Sequence, residues 1–109
     1  MPTLNEIRDE AHDRYNENPD LDHVCTRMSG ECGEICNKVG KLTRAKYNPN
    51  FYKINKMGES ELVKEIKGEI PDLLFYIGVL AKMLGINLDR SWIDKMEYNT
   101  KKYDYKPKK

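Results

Sequence analysis

Two pairs of carboxylates stand out by their spacing. Glu31 and Glu34 lie three residues apart in a segment of helical periodicity, and Glu69 and Asp72 repeat that spacing further on. Residues three apart on a helix project from one face, about 5–6 Å from each other. Glu69 and Asp72 lead straight into Leu73–Leu84, the most apolar stretch of the chain, so negative charge enters the core unless something positive meets it. Glu31 and Glu34 are flanked by Met28, Cys32 and Ile35, which places them at the edge of an apolar stripe. If the two segments face each other, four carboxylates converge from two rigid elements and repel strongly in a partly dry site. Protonation, lysine partners or divalent cations would each relieve that repulsion. Hard oxygen donors with room for water and phosphate oxygens suit Mg²⁺. Lys38, one turn beyond Glu34, is spaced either for an ion pair with it or to reach a phosphate oxygen. Taken singly, each acidic pair is equally what solvated salt bridges on a charged surface would produce.

The elements that must carry these residues are helical. Thr3-Leu4-Asn5-Glu6 reads as a capping box, and Leu4, Ile7, Ala11 and Tyr15 recur behind it at helical spacing, predicting a helix to about Tyr15. Residues 16–20, Asn-Glu-Asn-Pro-Asp, break the pattern. A second helix is expected from about Asp20 to Leu42, with Leu21, Val24, Cys25, Met28, Cys32, Ile35, Cys36, Val39 and Leu42 on one stripe. Gly30, Gly33 and Gly40 each cost such a helix about 1 kcal/mol relative to alanine, which suggests either close approach by another backbone or a ligand, or simply a weak helix. Residues 43–58 lose the period around the turn signal Asn48-Pro49-Asn50 and read as a loop. Its aromatics Tyr47, Phe51 and Tyr52 suit a lid or a subunit contact. A third helix starts near Glu59–Glu61 and ends at Leu84 before Gly85, kinked or split at Pro71. Asn87 caps a fourth, whose apolar face is Leu88, Trp92, Ile93, Met96 and Tyr103, with Trp92 expected in the core. The expectation is a single all-α domain over 1–109, four or five helices up and down, with 103–109 a frayed basic tail.

Composition narrows the function classes. Charged residues make up 34% of the 109, against roughly 25% in ordinary domains, and the mean hydropathy is −0.82. Apolar residues must therefore be concentrated on narrow stripes, and a chain this short gains from burying more surface by self-association. The net charge of +1 gives no general push towards nucleic acid or an anionic membrane. No apolar run follows the charged first residues and none spans a bilayer. Cys25, Cys32 and Cys36 form no CxxC pair, and their spacing fits small buried hydrophobes on one side of a helix. Together these features predict a cytoplasmic protein.

In order along the chain, Gly30-Glu31-Cys32-Gly33-Glu34-Ile35 and Glu69-Ile70-Pro71-Asp72-Leu73-Leu74-Phe75-Tyr76 form an ExxE…ExxD signature. They are followed by Leu84-Gly85-Ile86-Asn87-Leu88 and by Lys95-Met96-Glu97-Tyr98-Asn99-Thr100-Lys101-Lys102-Tyr103. From about Leu21 to Tyr103 this resembles the MazG-like nucleoside triphosphate pyrophosphohydrolases of the all-α NTP pyrophosphatase superfamily. The resemblance implies Mg²⁺-dependent hydrolysis of a (deoxy)nucleoside triphosphate to the monophosphate and pyrophosphate, by attack of water at the α-phosphorus, with Mn²⁺ as a substitute metal. It implies Glu31, Glu34, Glu69 and Asp72 as metal ligands, and Lys95, Asn99, Lys102 and Tyr103 as phosphate or sugar contacts. Glu31 or Glu34 would accept the proton of the attacking water, and Lys38 would touch phosphate. A homodimer or homotetramer is implied as well. The 43–58 insertion, Pro71 inside ExxD and Lys102 in place of the family's common arginine depart from the pattern. Two rival expectations stand beside this one. A sibling activity, dUTPase or phosphoribosyl-ATP pyrophosphohydrolase, would use the same acids. A non-catalytic helical module would bind nucleotide or protein with its acids solvated.

Overall fold

The computed structural model describes residues 1–47 and 58–108. Among these there are four helices and no strand: α1 (Leu4–Arg14), α2 (Leu21–Tyr47), α3 (Glu59–Met83) and α4 (Leu88–Tyr103). None of them is long and apolar enough to cross a membrane.

Helix ends follow local chemistry. The capping box forms at Thr3, whose Oγ1 accepts the Glu6 N–H at 3.1 Å while Glu6 Oε1 accepts the Thr3 N–H at 2.9 Å. At the head of α2 the Asp20 carboxylate accepts the Asp22 N–H, satisfying one orphan donor of the first turn. α3 ends at Gly85, which adopts φ +67° so that the Ile86 N–H can reach back to the Ala81 carbonyl at 2.8 Å. Asn87 caps α4 through the Arg90 N–H.

α3 is the spine. Lys38 meets Glu69, Arg27 meets Tyr76, and Val24 packs with Val79, so α2 runs antiparallel to it. Asp9 meets Lys82 and Ala11 meets Gly78, so α1 runs antiparallel to α3 too. The chain therefore keeps its direction from α1 into α2 across residues 15–20, which departs from a simple up-and-down order. The core lies where these three helices meet: Ala11, Val24 and Val79, with Tyr15, Met28, Phe75, Leu80 and Met83 around them. The short link between α1 and α2 is pinned there by polar contacts. Tyr76 Oη donates to Glu17 at 2.9 Å, Arg27 donates to Tyr76 Oη at 3.2 Å, and Tyr15 Oη donates to the Asn18 carbonyl.

α4 is different. The first residues of α1 and α4 cap each other: Asp89 accepts the Leu4 and Asn5 N–H groups, and Asn5 Oδ1 accepts the Leu88 N–H. Beyond that joint α4 has no substantial packing partner among the described residues and no buried residue. The radius of gyration is 17.6 Å, where a packed chain of about 100 residues has about 13 Å.

Several sequence expectations change. α2 continues five residues past Leu42, to Tyr47, because no glycine or proline intervenes and Thr43 Oγ1 bonds the Val39 carbonyl one turn back. The rest of the expected loop, 48–57, lies outside the described residues. Of the two alternatives at Pro71, the split into two helices does not occur: α3 is one continuous helix from Glu59 to Met83. Trp92 is 59% exposed instead of buried, since α4 stands away from the core. All three cysteines are exposed, because α2 has α3 on one side only. Gly30 and Gly33 approach nothing within 4 Å, and the close backbone approach falls at Gly78, where an added Cβ would stand 3.0 Å from the Ala11 Cβ and 3.2 Å from the Arg8 Cα.

This separates the glycines by experiment. Gly78→Val should lower unfolding stability by about 1–3 kcal/mol, since α1 would have to move off α3. Gly30→Ala and Gly33→Ala should each raise it by up to about 1 kcal/mol. Urea unfolding followed by circular dichroism measures both signs.

Candidate metal centre

The antiparallel pairing of α2 and α3 sets Glu31 opposite the Glu69–Asp72 turn. One carboxylate oxygen from each of Glu31, Glu69 and Asp72 lies within 4.8 Å of the others. Glu69 is largely covered, Asp72 is open to solvent and Glu31 is intermediate. Glu31 Oε2 is sealed from solvent and has no hydrogen-bond partner among the described residues. An orphaned oxygen beside two further acids is costly unless a proton or a cation meets it. Glu34, exposed one turn on along α2, also stands against Glu69 and lies outside the tight trio.

The electrostatics follow from who faces whom. Burial, and then the facing carboxylates of Glu69, Glu34 and Asp72, push the Glu31 pKa above its ordinary value. Glu69 pushes Glu34 up in the same way. Glu69 itself is held below the ordinary range, first by the Lys38 ammonium, whose Nζ lies 2.7 Å from Oε1. Lys38 is raised in turn by that contact. Among the described residues, Lys38 is thus the cation bonded to a member of this group of four acids.

Lys38 corrects a sequence expectation. Its partner is Glu69 on the opposite helix, not Glu34 one turn away on its own, because Lys38 points into the α2–α3 seam, where its side chain is 22% exposed and that of Glu69 19%. The four expected phosphate or sugar contacts do not join the acids within one chain. Lys95, Asn99, Lys102 and Tyr103 are on α4, whose substantial contact is with α1. There Lys95 Nζ lies 5.1 Å from the centre of the Tyr98 ring, and Lys102 sits over Tyr98 and Tyr103 at 5.8 and 5.3 Å. A residue not singled out from the sequence also bears on the site. Arg27, one turn before Glu31, carries positive charge towards it while lying over the Tyr76 ring. The i, i+4 spacing of Arg27 and Glu31 was the available signal.

As a donor set, clustered carboxylate oxygens with one open flank fit a hard divalent cation such as Mg²⁺, which binds through one or two carboxylates and keeps waters. The sealed Glu31 Oε2 is the atom that such an ion would satisfy. No family model, curated protein or solved structure matches the chain.

The raised Glu31 pKa has a definite sign in stability. The folded state holds this proton more tightly than the unfolded state, so stability falls as pH rises from the ordinary value of 4.5 through the raised one, then levels off. In chelator-treated protein, Glu31→Gln should therefore melt above wild type at pH 7, and the gap should close below pH 4.5. Thermal unfolding across pH checks this; an unchanged gap at all pH values would mean that the glutamine acts through packing.

Proposed function

We propose that this protein is a homo-oligomeric, Mg²⁺-dependent hydrolase of the all-α NTP pyrophosphatase type. It cleaves a (deoxy)nucleoside triphosphate to the monophosphate and pyrophosphate in the cytoplasm. The observation that supports this most is the convergence of Glu31, Glu69 and Asp72 from two helices around an orphaned carboxylate oxygen. A solvated surface pair would leave no such atom.

In this reading Glu31, Glu34, Glu69 and Asp72 hold the metal. When bound, the ion polarises phosphoryl oxygens and lowers the pKa of coordinated water. The protein's own part is positioning and charge balance, as phosphoryl transfer needs little covalent chemistry from side chains. Glu34 is exposed, lies outside the tight trio and has a raised pKa, so it suits the role of proton acceptor from the attacking water. Lys38 stabilises Glu69 as a carboxylate and presents an ammonium at the edge of the site. Lys95, Asn99, Lys102 and Tyr103 act on substrate only if α4 comes from a second copy, which agrees with the bare apolar side chains along that helix. The same exposed helix, with its lysines over tyrosine rings, favours the runner-up: a helical module that binds nucleotide or protein without turnover.

A pyrophosphate-release screen over common and modified ribo- and deoxyribonucleoside triphosphates, with Mg²⁺ or Mn²⁺, separates the two. The dUTPase and phosphoribosyl-ATP alternatives are decided in the same panel. Glu34→Gln and Asp72→Asn should lower kcat/KM by a factor on the order of 10²–10³ with the fold retained. Mg²⁺ should raise the Tm of wild type, because it binds the folded state, and raise it less in Asp72→Asn. Turnover at the wild-type rate by both variants would remove the assignment, and no turnover on any triphosphate would favour the binding module.

A further inference from the structure

One surface of the molecule carries a definite chemistry that the acidic centre does not use. A groove of about 610 Å³ runs between α1 and α3. Its apolar wall is formed by Ile7, Ala11, Leu74 and Phe75, and its α1 side bears Glu6, Glu10 and Asp13. Arg14 is the one basic residue in the lining, and it is already paired with Glu10. Asp13 has no ion pair among the described residues. A surface of this kind selects a cationic segment that also presents apolar rings.

Two stretches of the chain have this character: residues 44–56, most of which lie outside the described residues, and the last turn of α4 with the residues after it. Lys101, Lys102, Tyr103, Asp104, Tyr105, Lys106, Pro107 and Lys108 combine four lysines and two tyrosines with a single acid. Tyr103 and Tyr105 are 68% and 58% exposed. The segment does not reach the groove of its own chain. α4 leaves α1 at the Asn5–Asn87 and Leu4–Asp89 contacts and does not run beside it. Its 16 residues carry the chain about 24 Å away. Residues 104–108 span at most about 18 Å when extended, and Asp104, at φ 49°, ends the helix ahead of them.

We infer that the acidic α1–α3 groove is the seat of the lysine–tyrosine C-terminal segment of a second copy of this chain. Two copies that exchange these segments make two identical contacts about one axis, which closes the pair. Lys106 and Lys108 meet Glu10 and Asp13, and the Tyr105 ring covers Leu74 and Phe75. This contact lies apart from the acidic centre, so it stands or falls without the hydrolase reading.

Photocrosslinking on the 109-residue chain tests it. Tyr105 is replaced by p-benzoylphenylalanine, and ¹⁴N- and ¹⁵N-labelled protein are mixed in equal amounts, irradiated and mapped by mass spectrometry. The expected products join position 105 to residues 6–14 or 71–75, with about half of them of mixed isotope, as random pairing of identical copies requires. Their yield should fall with added salt, since exposed charges are screened. Glu10→Lys with Asp13→Lys should lower that yield about tenfold, and Lys106→Glu with Lys108→Glu in the same chain should restore it. Products confined to one isotope, products mapping elsewhere, or no product would overturn the inference. So would a yield indifferent to salt, which keeps the test decisive even if the reversed variants fail to fold.

Discussion

The structure depends on holding like charges together. Glu31, Glu69 and Asp72 face one another across the α2–α3 seam, and their repulsion works against the pairing that brings them there. Val24 and Val79, both fully buried, anchor the seam further along, and the Arg27–Tyr76–Glu17 contacts brace it. Lys38 relieves the repulsion from one side only, by holding Glu69. The outcome is a negative, preorganised cluster whose residual strain lies on Glu31 and Glu34, both pushed towards their protonated forms. A cation binding there would release that strain, so the same interactions that destabilise the bare fold would favour the loaded one.

The architecture divides the labour between two ends of α3. Its first half presents Glu69 and Asp72 to α2, and its second half is gripped by α1 through the Ala11–Gly78 approach and the Asp9–Lys82 ion pair. Arg8 and Lys82 hold Asp9 as a carboxylate, which fixes that grip in an otherwise exposed place. α4 is joined to this frame only through reciprocal capping at its start. Its outward side chains, Trp92, Ile93, Met96, Tyr98 and Tyr103, are too many apolar groups for a solvated helix of 16 residues.

Much of the local architecture was legible in the residues. The Thr3 capping box, the stop at Gly85 and the Asn87 cap are interactions within one turn of the chain, so short spacing suffices to read them. The sequence pattern places the end of α2 at Leu42 because a polar, aperiodic stretch reads as a loop, whereas Thr43 satisfies its hydroxyl within the helix. The partner of Lys38 was misjudged for a related reason: sequence spacing exposes the i, i+4 neighbour and hides the residue across the seam. Trp92 and the cysteines were assigned to a core by residue type, and type carries no information on whether a helix has a neighbour on that side.

By itself, then, the sequence determined that the chain is helical, where most helices begin and end, and that two acidic pairs stand at helical spacing near apolar stripes. Those properties depend on neighbours within one or two turns. Only the tertiary structure decided that Glu31, Glu69 and Asp72 meet, that Lys38 answers Glu69, that Gly78 is where two backbones touch and that α4 has no buried residue. Each of these is a contact, or a missing contact, between residues far apart in the chain. Such contacts depend on the angle and register at which helices pack, and many residue combinations along a stripe permit more than one register.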